Sequence, residues 1–415
     1  MTPEIKQRIE KIRRGEVPEG YKQAGQNIVP NTWNRLSFEQ VAIVRSGLVS
    51  PKTEPYSSML HIGPENIEKD TGKIENVRSA SELGLISGKF YFDSSSIVYS
   101  KIRPNLNKVC VPDFEGICSA DCYSIKARDN VDKNYLFTLM LSHQFYKRAV
   151  ACSMRTGMPK INQDDLNAIC LVFPDNLEEQ HKIATILTTQ DKVIDLKEKR
   201  LTEKQRQKKY LMQQLLTGKK RLPGFSGAWS FLKAKEIFQS VSDKDHNGDL
   251  AVLSSTQDRG IVLRDEVDID IKYDTCSLVN YKKVSKGNFV ISLRSFQGGI
   301  EYSTYTGLVS PAYTVLSSRM VISDKYYKQF FKSTDYINRL NVAVYGIRDG
   351  KQVSYEDFGR LRIPYPPIKE QVAIAEVLSA ADREIELLQQ DIEQEKQKKK
   401  ALMQLLLTGI VRVKT

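Results

Sequence analysis

The chain has 415 residues, of which 40% are hydrophobic and 27% are charged, so it is long enough for two or three globular domains. Its formal net charge of +12 favours a polyanionic partner, either nucleic acid or an anionic membrane surface. The N-terminal residues Met1 to Lys6 contain no apolar leader, and no window is long and apolar enough to cross a membrane. These features exclude an integral membrane protein and predict a cytoplasmic location.

The cysteine and histidine residues predict neither disulfides nor a metal site. The six cysteines contain no Cys-x-x-Cys pair, and none of the four histidines stands in a metal-ligand pattern. Reduced and mostly buried thiols of a cytosolic protein explain this usage better than disulfides or zinc. The cysteines are Cys110, Cys118, Cys122, Cys152, Cys170 and Cys276.

Residues 1–29 are predicted to form an N-terminal helix and a linker. Ile5, Ile9 and Ile12 fall on one face of a helix that covers residues 1–16. The turn that begins at Pro18 resembles a later turn at Pro223. The N-terminal helix therefore corresponds to the C-terminal end of a long helix, because a similar turn and then a globular segment follow each of them.

Two globular segments, residues 30–175 and 223–366, follow one plan. Each opens with one of the two tryptophans of the chain, Trp33 and Trp229. Matching motifs then recur in the same order: a strand-like apolar run that ends in a basic loop, a short stretch that begins with glycine, and a helical stretch. The matched pairs are Ser96–Arg103 with Gly287–Arg294, Gly116–Ser119 with Gly307–Ser310, and Lys133–Ala151 with Lys325–Val344. The remaining sequences diverge, as expected of two related domains that recognise different targets.

The segment Glu179–Gly218 occurs twice. It returns without a gap 191 positions later, as Glu370–Gly409. Apolar residues at heptad spacing in both copies predict two long helices of about 60 Å, within residues 176–222 and 367–415, that pair with each other. The residues predicted to form the seam are Ile183, Leu187, Ile194, Leu201, Leu211, Leu215, Ile374, Leu378, Ile385, Leu388, Ile392, Leu402 and Leu406.

Two further features of the repeated segment predict details of the helix ends. Gly218 and Gly409 follow the last apolar turn of each copy, where a left-handed C-terminal cap is expected. Lys208 and Lys399 interrupt both apolar stripes at the same point. We therefore expect that this end of each helix meets something other than the main seam.

The order of a globular segment and an EQxxIAxxL…LMQxLLTG helix, present twice, resembles the specificity (S) subunit of type I restriction-modification enzymes. The sequences at Arg103–Asn105 and Pro30–Trp33 also resemble the target-recognition domains of that family. The second segment departs from the family pattern at the corresponding places, Arg294–Phe296 and Gly227–Trp229. The resemblance covers essentially the whole chain.

This resemblance implies a fold, a function and partners. The implied fold consists of two mixed α/β target-recognition domains in a pseudo-two-fold arrangement, separated by two long helices that form an antiparallel coiled coil. Each domain would read one half of an interrupted site in double-stranded DNA. The helices would set the spacing and dock two methyltransferase (M) subunits, and restriction (R) subunits would join in the full complex. The chain itself would be non-catalytic, would need no cofactor and would have no membrane partner.

Four loops, two in each globular segment, carry the residues predicted to contact DNA. Lys and Arg side chains position phosphates, whereas Arg, Asn, Gln and Ser can read base edges. The loops recur at matched places in both segments, so contact is predicted for them as a set. The residues are Lys101, Arg103, Asn105, Lys108, Arg155, Lys160, Asn162, Arg294, Ser295, Gln297, Arg348, Lys351 and Gln352.

An enzymatic alternative is a stand-alone sequence-specific nuclease or methyltransferase. Asp268, Asp270 and Lys272 have the acidic-x-Lys pattern of a nuclease strand. Pro364–Pro367 superficially resembles the Asn-Pro-Pro-Tyr motif of adenine methyltransferases but lacks its Asn, and no phosphate-binding glycine motif is present. A third possibility, a purely structural coiled-coil scaffold, would not require two large and divergent globular segments.

Overall fold

The structure is a computed structural model that describes residues 2–153, 159–256, 259–267, 275–292, 299–343 and 353–414. The chain forms two compact units. Unit 1 consists of residues 1–196 and 392–415, and unit 2 consists of residues 197–391. Each unit therefore includes part of both long helices, whereas the domain boundaries predicted from the sequence treat each long helix as a segment of its own.

The described residues form a mixture of helices and short strands, which confirms the predicted α/β class. The helices are α1 (Pro3–Arg13), α2 (Phe38–Val41), α3 (Lys133–Met140), α4 (His143–Ser153), α5 (Gln163–Asn167), α6 (Leu177–Leu215), α7 (Ala234–Ile237), α8 (Asp324–Phe330), α9 (Thr334–Ala343), α10 (Tyr355–Arg360) and α11 (Ile368–Leu406). The strands of unit 1 are β1 (Tyr21–Ala24), β2 (Asn27–Pro30), β3 (Trp33–Ser37), β4 (Ala42–Val44), β5 (Leu48–Val49), β6 (Leu60–Ile62), β7 (Arg78–Ser79), β8 (Lys89–Phe92), β9 (Ser96–Ser100), β10 (Val109–Cys110), β11 (Gly116–Cys118), β12 (Cys122–Ala127) and β13 (Cys170–Pro174). The strands of unit 2 are β14 (Ser230–Lys233), β15 (Phe238–Val241), β16 (Leu253–Thr256), β17 (Gly260–Leu263), β18 (Lys282–Val284), β19 (Phe289–Ile291), β20 (Glu301–Tyr302), β21 (Gly307–Val309), β22 (Thr314–Ser318) and β23 (Arg362–Tyr365).

Strand β9 lies at the centre of unit 1, and all of its residues are buried. Alternate side chains of a strand point to opposite faces of the sheet. Ile97 and Tyr99 therefore pack into the core that includes α3 and α4, whereas Val98 packs into a second core against the neighbouring sheet. This burial on both faces explains why the sequence shows an uninterrupted apolar run here.

The central sheets of the two units have the same strand order. In unit 1 the order is β10-β9-β12-β4, and in unit 2 the matching order is β20-β19-β22-β15. Unit 1 also has a five-stranded sheet of order β5-β8-β11-β6-β7, in which β11 is parallel to β6. In both units a strand near the start pairs with the strand that leads into a long helix, β3 with β13 and β14 with β23.

The helical stretch predicted in each globular segment is broken into two helices. In unit 1 the break separates α3 from α4, and in unit 2 it separates α8 from α9. A serine hydroxyl at each break accepts a hydrogen bond from a backbone N–H of the second helix: Ser142 from Phe145 at 3.4 Å, and Ser333 from Tyr336 at 3.3 Å. Serine competes with the helical hydrogen-bond pattern in this way, so it starts a new helix.

Helices α6 and α11 run antiparallel within each unit, because residue numbers rise along one partner while they fall along the other. Lys399 pairs with Asp191 at 2.5 Å in unit 1. Lys197 pairs with Asp391 and Lys204 with Glu384, both at 2.8 Å, in unit 2. The seam residues near the helix ends are buried together with the globular cores, namely Ile183, Leu187 and Leu406 in unit 1 and Leu215, Ile374 and Leu378 in unit 2. The remaining predicted seam residues, Ile194, Leu201, Leu211, Ile385, Leu388, Ile392 and Leu402, are buried or half-buried.

Beyond the two lysines that interrupt the apolar stripes, each helix end packs into a globular core, Leu215 and Leu216 in unit 2 and Leu406 and Leu407 in unit 1, as expected. The lysines themselves remain in the helix pair. Lys208 forms an ion pair with Asp382, and Lys399 forms one with Asp191. A long lysine stem can lie along apolar surface while its ammonium reaches a carboxylate on the other helix. The prediction for the helix ends is confirmed, because Gly218 and Gly409 both have a φ of +71°.

Candidate nucleic-acid interface

Two of the predicted DNA-contact loops lie side by side in unit 1. Residues 101–108 leave the sheet after β9, and Ile102 forms an antiparallel bridge with Lys160. The N–H of Ile161 donates to the carbonyl of Lys101 at 2.9 Å, and the N–H of Arg103 donates to the carbonyl of Pro159 at 2.7 Å. The structure therefore joins these two basic segments into one surface.

Loop 101–108 contains two residues in the left-handed backbone region. Arg103 has a φ of +48° and Asn107 a φ of +45°, and a 3₁₀ turn, Pro104–Leu106, lies between them. Such a conformation costs a residue with a side chain about 1–2 kcal/mol, so surrounding contacts must hold it. Here the N–H of Leu106 donates to the carbonyl of Arg103 at 2.8 Å, and the N–H of Ser100 donates to the carbonyl of Lys108 at 2.9 Å.

The side chains of this surface differ in how far they reach solvent. Arg103, Asn105 and Lys160 are exposed. Lys101 is half-buried, and its ammonium lies 5.3 Å from the centre of the Tyr123 ring. Burial, followed by the like charge of Lys160, lowers the pKa of Lys101. An approaching phosphate would offset both effects, so the arrangement suits an anionic ligand.

Two of the predicted contact residues also have structural roles. The ammonium of Lys108 donates to the carbonyl of Pro64 at 2.6 Å. The side-chain oxygen of Asn162 accepts a hydrogen bond from the N–H of Asp165 at 2.7 Å, and this bond caps α5. A further predicted contact residue, Arg155, lies outside the described residues.

The predicted contact residues of unit 2 lie outside the described residues, but the segments that flank them are described. Residues 293–298 follow β19 as loop 101–108 follows β9, and they include Arg294, Ser295 and Gln297. The other set, Arg348, Lys351 and Gln352, falls within residues 344–352. Beyond it, Ser354 caps α10 by accepting from the N–H of Asp357 at 3.0 Å, as Asn162 caps α5. The nuclease-like residues Asp268, Asp270 and Lys272 also lie outside the described residues.

A buried glutamate joins each globular unit to its long helix. Glu179 of α6 is 1% exposed and accepts hydrogen bonds from the indole of Trp33 and from the guanidinium of Arg412. Glu370 of α11 is fully buried and does the same with Trp229 and Arg221. The two sets are related by the sequence repeat, since Glu179 and Arg221 correspond to Glu370 and Arg412. The repeated glutamates and the two tryptophans are visible in the sequence, but no local pattern connects each tryptophan to its glutamate.

His61 on β6 is a buried titratable group in unit 1. It is 4% exposed, and neither ring nitrogen has a hydrogen-bond partner among the described residues. Burial, followed by the charge of Lys89, lowers its pKa below the ordinary value of 6.5, although Glu65 opposes the shift. With the folded pKa below the unfolded one, the stability contribution is fully present above about pH 6.5 and is lost as the pH falls through the folded pKa.

Replacing His61 with methionine is therefore expected to reduce the loss of stability between about pH 7.5 and pH 5, because the methionine does not titrate. Urea unfolding of the purified chain at the two pH values measures this difference. His143→Gln provides the control, since His143 is exposed. An equal pH dependence for His61→Met and the unchanged chain would show that His61 is not responsible.

Comparison with known proteins supplies the family. The model of the family described as "Type I restriction modification DNA specificity domain" matches residues 65–206 and 208–397. The chain belongs to this type I DNA specificity family. It is accordingly a DNA-recognition subunit and not itself an enzyme, which confirms the prediction made from the repeated helix motif.

Individual members of the type I specificity family match different shares of the chain. The EcoDI specificity subunit of Escherichia coli is 39% identical over 181 residues, which are 44% of this chain and 38% of that protein. The putative MjaX specificity subunit of Methanocaldococcus jannaschii is 24% identical over 429 aligned residues, which cover 96% of this chain and 98% of that protein. This second alignment therefore extends along nearly the whole of both chains.

Solved structures from type I restriction-modification systems have the same fold. A chain described under the assembly and conformational transition of the type I R-M system covers 92% of this chain, with a TM-score of 0.60 and 18% identity. The S subunit from M. genitalium covers 95% of this chain, with a TM-score of 0.55 and 14% identity. At these identities the likeness concerns the fold alone.

Three further properties of the described part of this family member concern membrane spanning, metal binding and thiol reactivity. None of its helices is long and apolar enough to span a membrane. Within the same residues, no three His, Cys, Asp or Glu side chains come close enough together to hold a metal ion. Cys110, Cys118 and Cys122 are buried thiols, and burial raises the pKa of Cys118 to about 12.

Proposed function

We propose that this chain directs a type I restriction-modification complex to its DNA site, with unit 1 reading one half of a bipartite sequence and unit 2 the other. The observation that carries the proposal is the matched construction of the two units. The same sheet order and the same capped helix flank loops of different sequence. Two domains that share the sheet order and the capped helix but differ in their loops suit two different half-sites.

Partners are proposed from the charge of the chain and from its repeat. The net charge of +12 suits double-stranded DNA. Leu196 and Leu387, which correspond to each other in the repeated helices, are 66% and 65% exposed. Large apolar side chains exposed at matched places suit two copies of one protein partner. We propose two methyltransferase subunits at these helices, with restriction subunits joining the full complex.

Co-expression of the chain with its methyltransferase subunit, followed by mapping of methylated bases in the host genome, tests the proposal. The expected motif has two specified parts separated by a gap of fixed length and unspecified sequence. A single continuous motif would contradict the two-unit arrangement. Methylation or cleavage by the purified chain alone would favour the enzymatic alternative.

Arg103→Ala is expected to weaken binding to the native site and to relax specificity at one base of one half-site. If Arg103 binds a guanine through two hydrogen bonds, the loss is about 1–3 kcal/mol. Arg103→Gly should have a similar effect on binding although glycine relieves the left-handed backbone, which separates the side chain from backbone strain. Titration of labelled DNA at several salt concentrations measures both variants.

The control for these variants is Arg14→Ala, which removes an exposed arginine after α1. A phosphate contact at Arg103 would instead weaken binding to all sequences alike and reduce the salt dependence. Unchanged affinity and unchanged specificity in both Arg103 variants would show that loop 101–108 does not face DNA.

A further inference from the structure

A folded arm, residues 63–76, lies against loop 101–108 in unit 1 and touches it at two places. At its base, the carbonyl of Pro64 accepts a hydrogen bond from the ammonium of Lys108 at 2.6 Å. Farther along, the side-chain amide of Asn107 donates to the carboxylate of Asp70 at 3.1 Å. The N–H of Asp70 donates in turn to the carbonyl of Asn107 at 3.4 Å. The arm therefore contacts both residues at the returning end of the loop.

The arm is held by its own hydrogen bonds and by close packing. Ile67 and Ile74 form an antiparallel bridge, and the N–H of Glu68 donates to the carbonyl of Lys73 at 2.9 Å. Gly72 has a φ of +78°, and a Cβ at this position would lie 2.5 Å from the ring of Phe137. The turn is thus pressed against α3, so a displacement at one end is not absorbed within the arm.

The same arm reaches helix α6. The ammonium of Lys73 lies 2.7 Å from the carboxylate of Asp195, with 37% and 42% of the two side chains exposed. Asp191, one helical turn earlier, also feels the charge of Lys73 and itself pairs with Lys399 of α11. The arm therefore contacts helix α6 at Lys73 and loop 101–108 at Asp70, and these two residues lie three positions apart in one turn.

We propose that Lys73 and Asp195 are positioning residues, through which helix α6 fixes the place of loop 101–108 on DNA. This inference rests on the proposed function, because it assigns a cause to the reading geometry of unit 1. Neither side chain needs to touch DNA. A change in the helix pair, such as the docking of a partner subunit, would reach the loop through the arm.

A positioning role and a stabilising role of this ion pair predict different results when the pair is broken. An ion pair with this degree of exposure contributes little to folding stability, because water screens its charges. Specificity is more sensitive, since a displacement of about 1 Å can abolish the geometry of a hydrogen bond to a base. The readout is therefore the sequence recognised, and the melting temperature should hardly change.

The repeat supplies a matched control position. Glu386 of α11 corresponds to Asp195 of α6, and it is exposed. Within the part of unit 2 that the structure describes, Glu386 has no ion-pair partner. Glu386→Lys therefore makes the same kind of charge reversal on the same repeated helix without breaking an arm contact.

The experiment compares Lys73→Asp, Asp195→Lys, the double exchange Lys73→Asp/Asp195→Lys, and Glu386→Lys in the full chain co-expressed with the methyltransferase subunit. Each single arm variant should lower the affinity for the native site about five- to tenfold and relax only the half-site read by unit 1. The double exchange should restore the affinity to within about twofold, because the ion pair forms again with reversed charges. Glu386→Lys should leave both half-sites unchanged.

Single arm variants that methylate the native motif with unchanged affinity would overturn the proposal. So would a double exchange that is no better than the single variants, or an equal loss at both half-sites. Arg103→Ala separates this failure from a failure of the proposed function. If Arg103→Ala relaxes one half-site while the arm variants do not, the arm alone lacks the proposed role. If Arg103→Ala also changes nothing, the placement of the DNA surface is wrong.

Discussion

Glu179→Ala is expected to destabilise unit 1 by about 2–3 kcal/mol, because it leaves two buried or half-buried donors without an acceptor. The carboxylate accepts from the indole of Trp33 at 3.3 Å and from two guanidinium nitrogens of Arg412 at 2.8 and 2.7 Å. Trp33 is fully buried, whereas Arg412 is 37% exposed, so solvent reduces the loss below that of a fully buried pair. A thermal scan should show a midpoint lower by about 5–10 °C.

Glu178→Ala is the matched control for Glu179→Ala. Glu178 is the neighbouring residue, is 58% exposed, and pairs with Lys182 on the same helix at 2.6 Å. Its loss should cost no more than about 0.5 kcal/mol. The corresponding change in unit 2, Glu370→Ala, removes the acceptor of Trp229 and Arg221 and should destabilise that unit. Equal midpoints for Glu178→Ala and Glu179→Ala would show that the buried carboxylate does not hold the unit to its helix.

A fragment of residues 1–222, co-expressed with the methyltransferase subunit, is expected to form a symmetric dimer that methylates an inverted repeat of the first half-site. The fragment lacks residues 392–415 of unit 1, but residues 201–222 correspond in the repeat to residues 392–413 of that segment. Arg221 corresponds to Arg412, so each copy can complete the other across a two-fold axis. Identical recognition surfaces related in this way read a palindrome. Binding should be weaker than in the intact chain, because association is no longer intramolecular.

Two variants test whether the repeated segment causes this dimer. A fragment that ends at residue 196 lacks the second half of α6 and should remain monomeric. Arg221→Ala within the 1–222 fragment should weaken the dimer, because Glu179 then has no guanidinium partner. Sedimentation and mapping of the methylated motif measure the two properties. A folded 1–222 fragment that stays monomeric and directs no methylation would contradict the expectation.

The repeated helices and the order of the elements could be predicted because they depend on local patterns. Heptad spacing marked α6 and α11, and the position of Gly218 after a last apolar turn marked a helix end. The apolar run Ile97–Tyr99 marked strand β9. These signals lie within a few residues of the feature they predict.

The arrangement of the candidate interface depends on contacts between distant residues, and the sequence carries no comparable signal for it. Composition marked Lys101 and Lys160 as basic loop residues, but the bridge that joins their segments appears only in the fold. The division of both long helices between the units was also missed, because the repeat suggested whole helices as separate segments. The ion pair of Lys208 with Asp382 was not predicted either, since the two residues lie far apart in sequence.

Unit 1 is built from two segments that lie far apart in the sequence, and this has a consequence for synthesis on the ribosome. Residues 1–196 emerge first, but the segment that completes this unit, 392–415, is translated last. At about 5–20 residues per second, the intervening stretch of roughly 200 residues delays it by about 10–40 s. Throughout this delay Glu179 has been made and Arg412 has not, while the equivalent Arg221 of a neighbouring nascent chain on the same messenger already exists. Slow translation should therefore favour pairing between nascent chains, and rapid completion should favour closure of unit 1 by its own C-terminal segment.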